Sequence, residues 1–319
     1  MSHLRRLVLP LAAASLLVAA PAPASAAGKV VDFGGGALLP GAVDDDVPVV
    51  PGDVNISLRL RPGGRIGLDG VVVHDCGAGL TMSAYVGGRA RLERDGVFRL
   101  TQRRRSDAST SSMVTVTGRV EGDDRVTGIV RSTGRHEGRD CAGTARFVAL
   151  DTATLSTATD AAVPRAREML GMVEQEPVPG DLLLRTSESG RELERVSLTL
   201  DWRCGGKADT QTLYAFDGTI DARGRLALDH RYERRMLDGT QEGTIALRGQ
   251  FVAGGVVGTL RATGVTRDAS GAELHRCRSI EVPFSAASAV LGPPTPAALA
   301  PGPGAPGDPG SPGATIERP

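Results

Sequence analysis

The chain has few aromatic side chains, because Phe, Tyr and Trp together make up only 3% of its 319 residues. Carbohydrate-binding and base-stacking surfaces are usually built from exposed Trp and Tyr, so this scarcity argues against both kinds of surface. An excess of positive charge is also absent, since 37 basic residues are balanced by 37 acidic ones. A nucleic-acid-binding protein is expected to carry a basic excess or stripe. We therefore expect no nucleic-acid partner.

Recognisable catalytic motifs are missing as well. The sequence contains no Gly-x-Ser-x-Gly nucleophile elbow, no His-Glu-x-x-His zinc motif and no phosphate-binding loop. Catalytic triads and carboxylate pairs are recognised by geometry, and no spacing here nominates one. We assign no catalytic residue, no cofactor and no metal, and the sequence favours a non-catalytic protein over an enzyme.

The N-terminus has the three parts of a signal peptide. Arg5 and Arg6 supply positive charge, residues 7–20 are apolar, and residues 24–26 (Ala-Ser-Ala) form a small-residue cleavage site. The apolar run is shorter than the roughly 20 residues of a membrane-spanning helix, and no second long run follows. We expect cleavage after this tripeptide or after Ala27, with export by the general secretory route rather than the twin-arginine route. The mature chain is then secreted or held at the cell surface without a transmembrane segment.

The mature chain contains an internal repeat. Residues 51–53 and 179–181 both read Pro-Gly-Asp and begin two matching segments at an offset of 128 residues. Further along, the pattern apolar-x-Gly-x-apolar centred on Gly128 matches the one centred on Gly258. Agreement over about 95 residues predicts two copies of one domain.

The matched segments alternate between apolar and polar residues. From Val196 to Cys204 every second side chain is apolar, which is typical of a half-buried β-strand. Asp-Gly pairs that predict hairpin turns stand at residues 69–70, 95–96, 217–218 and 238–239. We predict about six to eight antiparallel strands in each copy, folded as a β-sandwich or a small β-barrel. The inward-facing glycines slightly favour a curved meander, because such glycines mark bends or close crossings.

The four cysteines of the mature chain occupy equivalent places, two in each copy. An exported protein meets oxidising conditions, so we expect disulfides. Four cysteines allow three connectivities, and the repeat selects Cys76–Cys141 together with Cys204–Cys277.

Zinc binding is the alternative reading of these cysteines, because His74 and His275 each stand two residues before one of them. His74 aligns with Trp202, however, and His275 has no aligned histidine in the first copy. A duplicated zinc site should keep its ligands at matched positions. We therefore interpret His74 and Trp202 as inward residues beside the disulfides.

Clustered arginines are the most prominent exposed feature that the sequence predicts. The cluster comprises Arg103, Arg104 and Arg105 in the first copy and Arg231, Arg234 and Arg235 in the second. Such a cluster could bind an anion. The alternative, a solvated end of a hairpin, is the reading that we favour.

The composition divides the chain into six segments. They are a signal peptide (1–26), a linker (27–50), a first β domain (51–150), a second linker (151–178), a second β domain (179–288) and a disordered Pro/Gly-rich tail (289–319). Within the second linker, apolar residues at helical spacing between Pro164 and Gln175 predict a short helix that packs against a domain.

A resemblance to a known group rests on the repeated motifs. Each copy runs from a cysteine through Gly-x-apolar-x-apolar and Val-x-Gly-x-apolar to a late cysteine, followed by a strand with Phe147 or Phe284. This pattern resembles the uncharacterised secreted tandem β-repeat proteins of high-GC Gram-positive bacteria. The resemblance covers nearly all of the chain between Pro51 and Ala287. It implies a compact extracellular β domain and assigns no catalytic residue.

The function that we expect is that of an exported, non-catalytic binding or structural module. Its partner would belong to the cell envelope or the extracellular space, since duplicated domains often serve avidity. A lipocalin-like carrier of small ligands is one alternative and requires a large apolar cavity inside a domain. A secreted enzyme is the other alternative and requires a cleft where Asp, Glu or His side chains converge. The sequence makes no prediction of oligomeric state.

Overall fold

The computed structural model describes residues 29–37, 53–77, 81–105, 110–136, 138–153, 155, 168–175, 179–236, 239–252 and 254–288. The predicted signal peptide and the predicted tail lie outside these residues. No helix long and apolar enough to cross a membrane occurs in the described ranges.

The described residues form two antiparallel β-sheets and no helix. The first sheet contains β1 (Val31–Ala37), β2 (Val54–Arg61), β3 (Arg65–Asp75), β4 (Thr81–Arg91), β5 (Val97–Arg105), β6 (Ser111–Glu121), β7 (Arg125–His136) and β8 (Arg139–Leu150). The second contains β9 (Glu168–Val173), β10 (Gly180–Thr186), β11 (Glu192–Cys204), β12 (Lys207–Ala215), β13 (Gly218–Ile220), β14 (Arg225–Met236), β15 (Gly239–Val252), β16 (Gly255–Arg267) and β17 (Glu273–Ser288).

The first sheet is a meander whose last strand returns to its first. Strands β1 to β4 pair in order, β5 to β8 pair in order, and β8 pairs with β1. Strands β4 and β5 are joined by a short turn, and the Gly87 N–H donates to Oε1 of Gln102 across them at 2.6 Å. At the end remote from β1, β3 meets β8 directly through Asp75 and Ala142.

The second sheet follows the same order with one interruption. Strands β12 and β13 pair with β11 in a single register, so they behave as one strand that is interrupted at Phe216 and Asp217. Strand β13 then pairs with β14, β14 to β17 pair in order, and β17 returns to β9. Because β10 pairs with both β9 and β11, the hydrogen-bonded ladder forms a closed circuit.

Each sheet carries one disulfide at a corresponding place. Cys76–Cys141 joins the end of β3 to β8, and Cys204–Cys277 joins β11 to β17, with Cα separations of 4.1 and 3.9 Å. Both predicted pairings are confirmed. At this level of the sheet the first two strands have already ended, so each disulfide joins two strands that meet directly. Cross-linking loops of this size stabilises a fold by about 4 kcal/mol each in the chain-entropy model.

Each sheet curves around an apolar interior, which contains most of the chain's phenylalanine. Five of the six Phe side chains are fully buried: Phe33, Phe98, Phe147, Phe251 and Phe284. They pack with Val, Leu and Ile side chains from the inward-facing positions of every long strand. The alternation seen in the sequence therefore separates this interior from the outer face.

Opposed glycines make room for these rings. Gly118 on β6 lies opposite Gly128 on β7, and a Cβ at Gly128 would stand 2.5 Å from the Phe147 ring. In the second sheet Gly249 and Gly258 are opposed in the same way beneath a phenylalanine of β17. The inward glycines of the repeated motif are therefore sites of close contact with an aromatic ring.

The predicted linker helix is wrong within the described residues. Glu168–Val173 is strand β9, which pairs with β10 on one side and β17 on the other. The strand is apolar on both faces. Met169 and Val173 enter the interior of the second sheet, and Leu170 faces the first sheet. A strand buried on both faces lacks the alternation of apolar and polar residues that identifies strands. The spacing of its apolar residues can then resemble that of a helix. Strand β1 likewise lies within the stretch predicted as the first linker.

The two sheets pack against each other through their outer faces. Strands β1, β2 and β8 contact β9, β10 and β11, and Val148, Leu170 and Leu183 form a small apolar cluster between them. The backbones approach so closely that a Cβ at Gly34 would stand 2.1 Å from the carbonyl oxygen of Gly171. A side chain other than hydrogen at Gly34 would force the sheets apart, and one at Gly171 would collide with the β17 backbone at Ser285 in its own sheet.

The glycine–phenylalanine contact predicts a position-specific effect. We expect Gly128→Ala to lower the free energy of unfolding by about 1–3 kcal/mol, the usual cost of overpacking, because the added methyl group meets both the Phe147 ring and a carbonyl oxygen. Gly67→Ala is the matched control, since a Cβ at that strand position has its nearest neighbour at 3.9 Å. Urea unfolding measures both. Equal losses in the two variants would contradict this packing.

Candidate functional site between the two sheets

A buried ion pair connects the two sheets. The Arg195 guanidinium on β11 donates to the carboxylate of Asp53, which directly precedes β2. Both side chains are at most 3% exposed. The guanidinium also stacks over the Tyr214 ring, 5.2 Å from its centroid. Burial, followed by the charge of Asp53, raises the pKa of the Tyr214 hydroxyl, so this phenol stays neutral.

Next to the ion pair, Asn55 joins β2 to β11 through both ends of its side-chain amide. Its Oδ1 accepts a hydrogen bond from the Ser197 hydroxyl at 3.0 Å, and its Nδ2 donates to Oγ1 of Thr199 at 3.4 Å. All three side chains are buried. Buried polar groups of this kind stabilise a contact only when they are paired, and these groups pair across the two sheets.

Asp181 on β10 is the least compensated charge in this contact. Its side chain is 1% exposed, and its carboxylate accepts hydrogen bonds from Thr199 and Asn55. Its Oδ2 nevertheless has no hydrogen-bond partner among the described residues. Burial raises the pKa of this carboxyl from 3.8 to about 7, because desolvation outweighs the hydrogen bonds that lower it.

A small cavity of about 80 Å³ opens beside Asp181, between the two sheets. Its lining includes Ser57 and Asp69 of the first sheet and Thr199 and Asp201 of the second. Partial desolvation and the nearby Asp201 charge raise the pKa of Asp69. Three carboxylates thus line one cavity, with no Lys or Arg side chain in that lining. Among the described residues, no group of three or more His, Cys, Asp or Glu side chains is placed to hold a metal ion.

A larger groove of about 590 Å³ crosses the second sheet over β14 to β17. Charges of both signs line it: Arg231 and Glu233 come from β14, Glu242 from β15 and Arg276 from β17. All four of these side chains are exposed. Glu233 and Glu242 lie directly opposite each other across β14 and β15, so their carboxylates share one end of the groove.

The predicted arginine cluster is spread over both sheets. Arg103, Arg104 and Arg105 end β5 in the first sheet and are exposed, whereas Arg231 lies on β14 and lines the groove. Arg104 stacks over the Tyr85 ring, 5.4 Å from its centroid. The side chains of Arg234 and Arg235 lie outside the described residues, so a single anion-binding patch made of all six arginines stays a prediction.

His74 and Trp202 both lie in the sheet interiors, as the alignment predicted. His74 is fully buried, and neither of its ring nitrogens has a hydrogen-bond partner among the described residues. Burial lowers the pKa of His74 to about 4. Trp202 and the Sγ of Cys277 both face Gly264, which places the indole beside the disulfide.

The residues of the inter-sheet contact were missed by the sequence analysis. The one available signal was the Pro-Gly-Asp motif that opens each predicted copy, whose aspartates are Asp53 and Asp181. Both are at most 2% exposed. Asp69 was interpreted as half of a hairpin turn, but it lies inside β3 and lines the cavity.

No protein-family model matches this chain, and no curated protein matches it.

The buried ion pair predicts a large effect of a single substitution. We expect Asp53→Asn to lower the free energy of unfolding by about 3–5 kcal/mol, since Arg195 would be left buried without a counter-charge. Asp53→Leu combined with Arg195→Met should recover most of that loss, because neither charge remains. Urea unfolding is the measurement, and Asp229→Asn, which breaks the exposed Arg248–Asp229 pair, is the control. A small loss for Asp53→Asn, similar to that of the control, would contradict the assignment.

His74 predicts a pH dependence of stability. Its pKa is about 4 in the folded chain against 6.5 for the free side chain, so between these values the unfolded chain binds a proton that the folded chain does not. Its contribution to stability is therefore complete above about pH 6.5 and is lost as the pH falls towards 4. In urea unfolding, the free energy of unfolding of the wild type should therefore fall relative to that of His74→Leu as the pH decreases over this interval. Parallel pH profiles would refute the prediction.

Proposed function

We propose that this chain is an exported, non-catalytic binding module whose ligand surface is the groove over β14 to β17. The ligand class that fits is an extended polypeptide segment carrying charges of both signs. The groove itself carries the proposal, because its volume of about 590 Å³ lies within the usual range of ligand sites. Glu233 can receive a basic side chain of the ligand and Arg231 an acidic one. Glu242 and Arg276 can exchange their exposed ion pairs with Arg267 and Glu273 for contacts with the ligand.

Export is supported by two independent features. The N-terminal sequence has the charged, apolar and small-residue parts of a signal peptide. The described cysteines are all in disulfides, which suits an oxidising environment outside the cell. The partner of the groove is accordingly a polypeptide of the cell envelope or the extracellular space.

We also propose that the two sheets are small β-barrels that arose by duplication of one domain. The closed hydrogen-bond circuit of the second sheet supports the barrel form. Support for duplication comes from the matched strand order, the two disulfides between the third and last strands, and the opposed glycines under a phenylalanine. The packed apolar interiors argue against a carrier of lipocalin type, since such a carrier keeps an internal cavity.

The groove can be tested with the mature chain and a charge-reversal variant. We expect the wild type to bind a subset of a synthetic peptide library with mixed charge, and to bind polypeptides in envelope material of the producing cells. Arg231→Glu combined with Arg276→Glu should weaken that binding at least tenfold, because acidic side chains of the ligand would then be repelled. Surface plasmon resonance with immobilised mature chain measures the affinity.

The matched control is Arg89→Glu combined with Arg91→Glu, two exposed arginines of β4 far from the groove in sequence. This variant makes the same change in net charge and should keep the wild-type affinity. The proposal fails if the wild type binds neither peptides nor envelope polypeptides, or if the two charge-reversal variants lose affinity equally.

A further inference from the structure

The cavity between the two sheets has the properties of a binding site for a positive charge. It is lined by the carboxylates of Asp69, Asp181 and Asp201 and by the hydroxyls of Ser57 and Thr199. Every one of these groups can accept a hydrogen bond. The lining contributes no Lys or Arg side chain to balance the carboxylates.

The positive charge of a ligand would sit beside the carboxylate of Asp181. The side chain is 1% exposed and lines the cavity, yet its Oδ2 has no hydrogen-bond partner among the described residues. Leaving a buried carboxylate oxygen unpaired is unfavourable, and more so when the group is ionised. A cation that donates a hydrogen bond to Oδ2 removes this cost and also compensates the charge.

From this arrangement we propose that the inter-sheet cavity binds a small organic cation with N–H donors, namely a primary ammonium or a guanidinium head group. The volume of about 80 Å³ suits a head group of this size rather than a whole peptide. A metal ion fits less well, since the described Asp, Glu, His and Cys side chains form no metal-binding cluster. The site lies on β2, β3, β4, β10 and β11, so it is separate from the groove on β14 to β17.

Arg104 influences this site from outside its lining. Its guanidinium stacks on Tyr85, which lines the cavity, and its charge lowers the pKa of Asp69. A positive charge at this place competes with an incoming cation. Removing it should therefore strengthen the binding of the cation.

The protonation state of the cavity gives a second readout. Burial raises the pKa of Asp181 to about 7, so the ionised carboxylate that the cation needs becomes dominant only as the pH rises through 7. The other charged or titratable groups around it are Asp69, Asp201, Tyr85, Asp53, Arg195 and Tyr214. Of these, Asp53 and Arg195 neutralise each other in their ion pair. Affinity for a cation should consequently increase between pH 6 and pH 8.

The experiment is an isothermal titration of the mature chain with methylammonium and with guanidinium chloride at low millimolar concentration and constant ionic strength. Both should bind saturably, and tetramethylammonium, which has no N–H donor, and calcium should bind at least tenfold more weakly. Asp181→Asn should reduce the affinity at least tenfold, Asp201→Asn should reduce it too, and Arg104→Gln should increase it. Asp229→Asn, at an exposed carboxylate of β14, is the control and should bind like the wild type. Near-UV circular dichroism checks that each variant is folded.

Several results would overturn the proposal. One is the absence of saturable binding of either N–H cation to the wild type. Another is equal affinity of folded Asp181→Asn and Asp201→Asn to that of the wild type. Equal binding of tetramethylammonium or tighter binding of calcium would show a diffuse charge effect or a metal site instead. To distinguish a free amine from a lysine side chain of a partner, the same titration is repeated with a short lysine peptide. Because these readouts do not involve the groove, they stand or fall separately from peptide binding there.

Discussion

The buried pairing of Asp53 with Arg195 is the interaction on which the arrangement of the two sheets depends. Each charge would be unfavourable in this environment alone, and each comes from a different sheet. The pair holds the start of β2 against β11, and in doing so it places Asn55 where its amide reaches Ser197 and Thr199. The cavity beside Asp181 lies in this polar part of the contact, whereas residues 148, 170 and 183 form its apolar part.

Within each sheet, the scarcity of aromatic residues is offset by how the few are placed. Nearly every phenylalanine is buried, and opposed glycines let a ring lie directly on the backbone of neighbouring strands. Each disulfide lies where the third strand of its sheet pairs directly with the last strand. The phenylalanine rings thus fill the interior of each sheet. The disulfides join the two strand pairs, β3–β8 and β11–β17, that share only one paired residue each.

The sequence predicted the features that depend on local pattern. Alternation identified the long strands, such as the one that ends at Cys204, and the repeat selected both disulfides. It did not predict β1 or β9, because three of the seven residues of β1 are glycine and β9 is apolar on both faces. The inter-sheet contact was also missed: Asp53, Arg195 and Asp181 look like ordinary surface residues of a strand, and only the packing of one outer face on another buries them. Asp69 was misread because Asp-Gly favours a turn locally, whereas pairing on both sides keeps it within a strand.

The near-contact of Gly34 with the backbone of Gly171 has a consequence for how the molecule comes apart. Strands β1 and β9 each complete their own sheet and also form the surface on which the other sheet rests. If either strand detached, it would open its own sheet and expose to water the face of the neighbouring sheet that rests on it. We therefore expect the two halves to open as one cooperative unit, so that the slowest-exchanging amides of both sheets become accessible together.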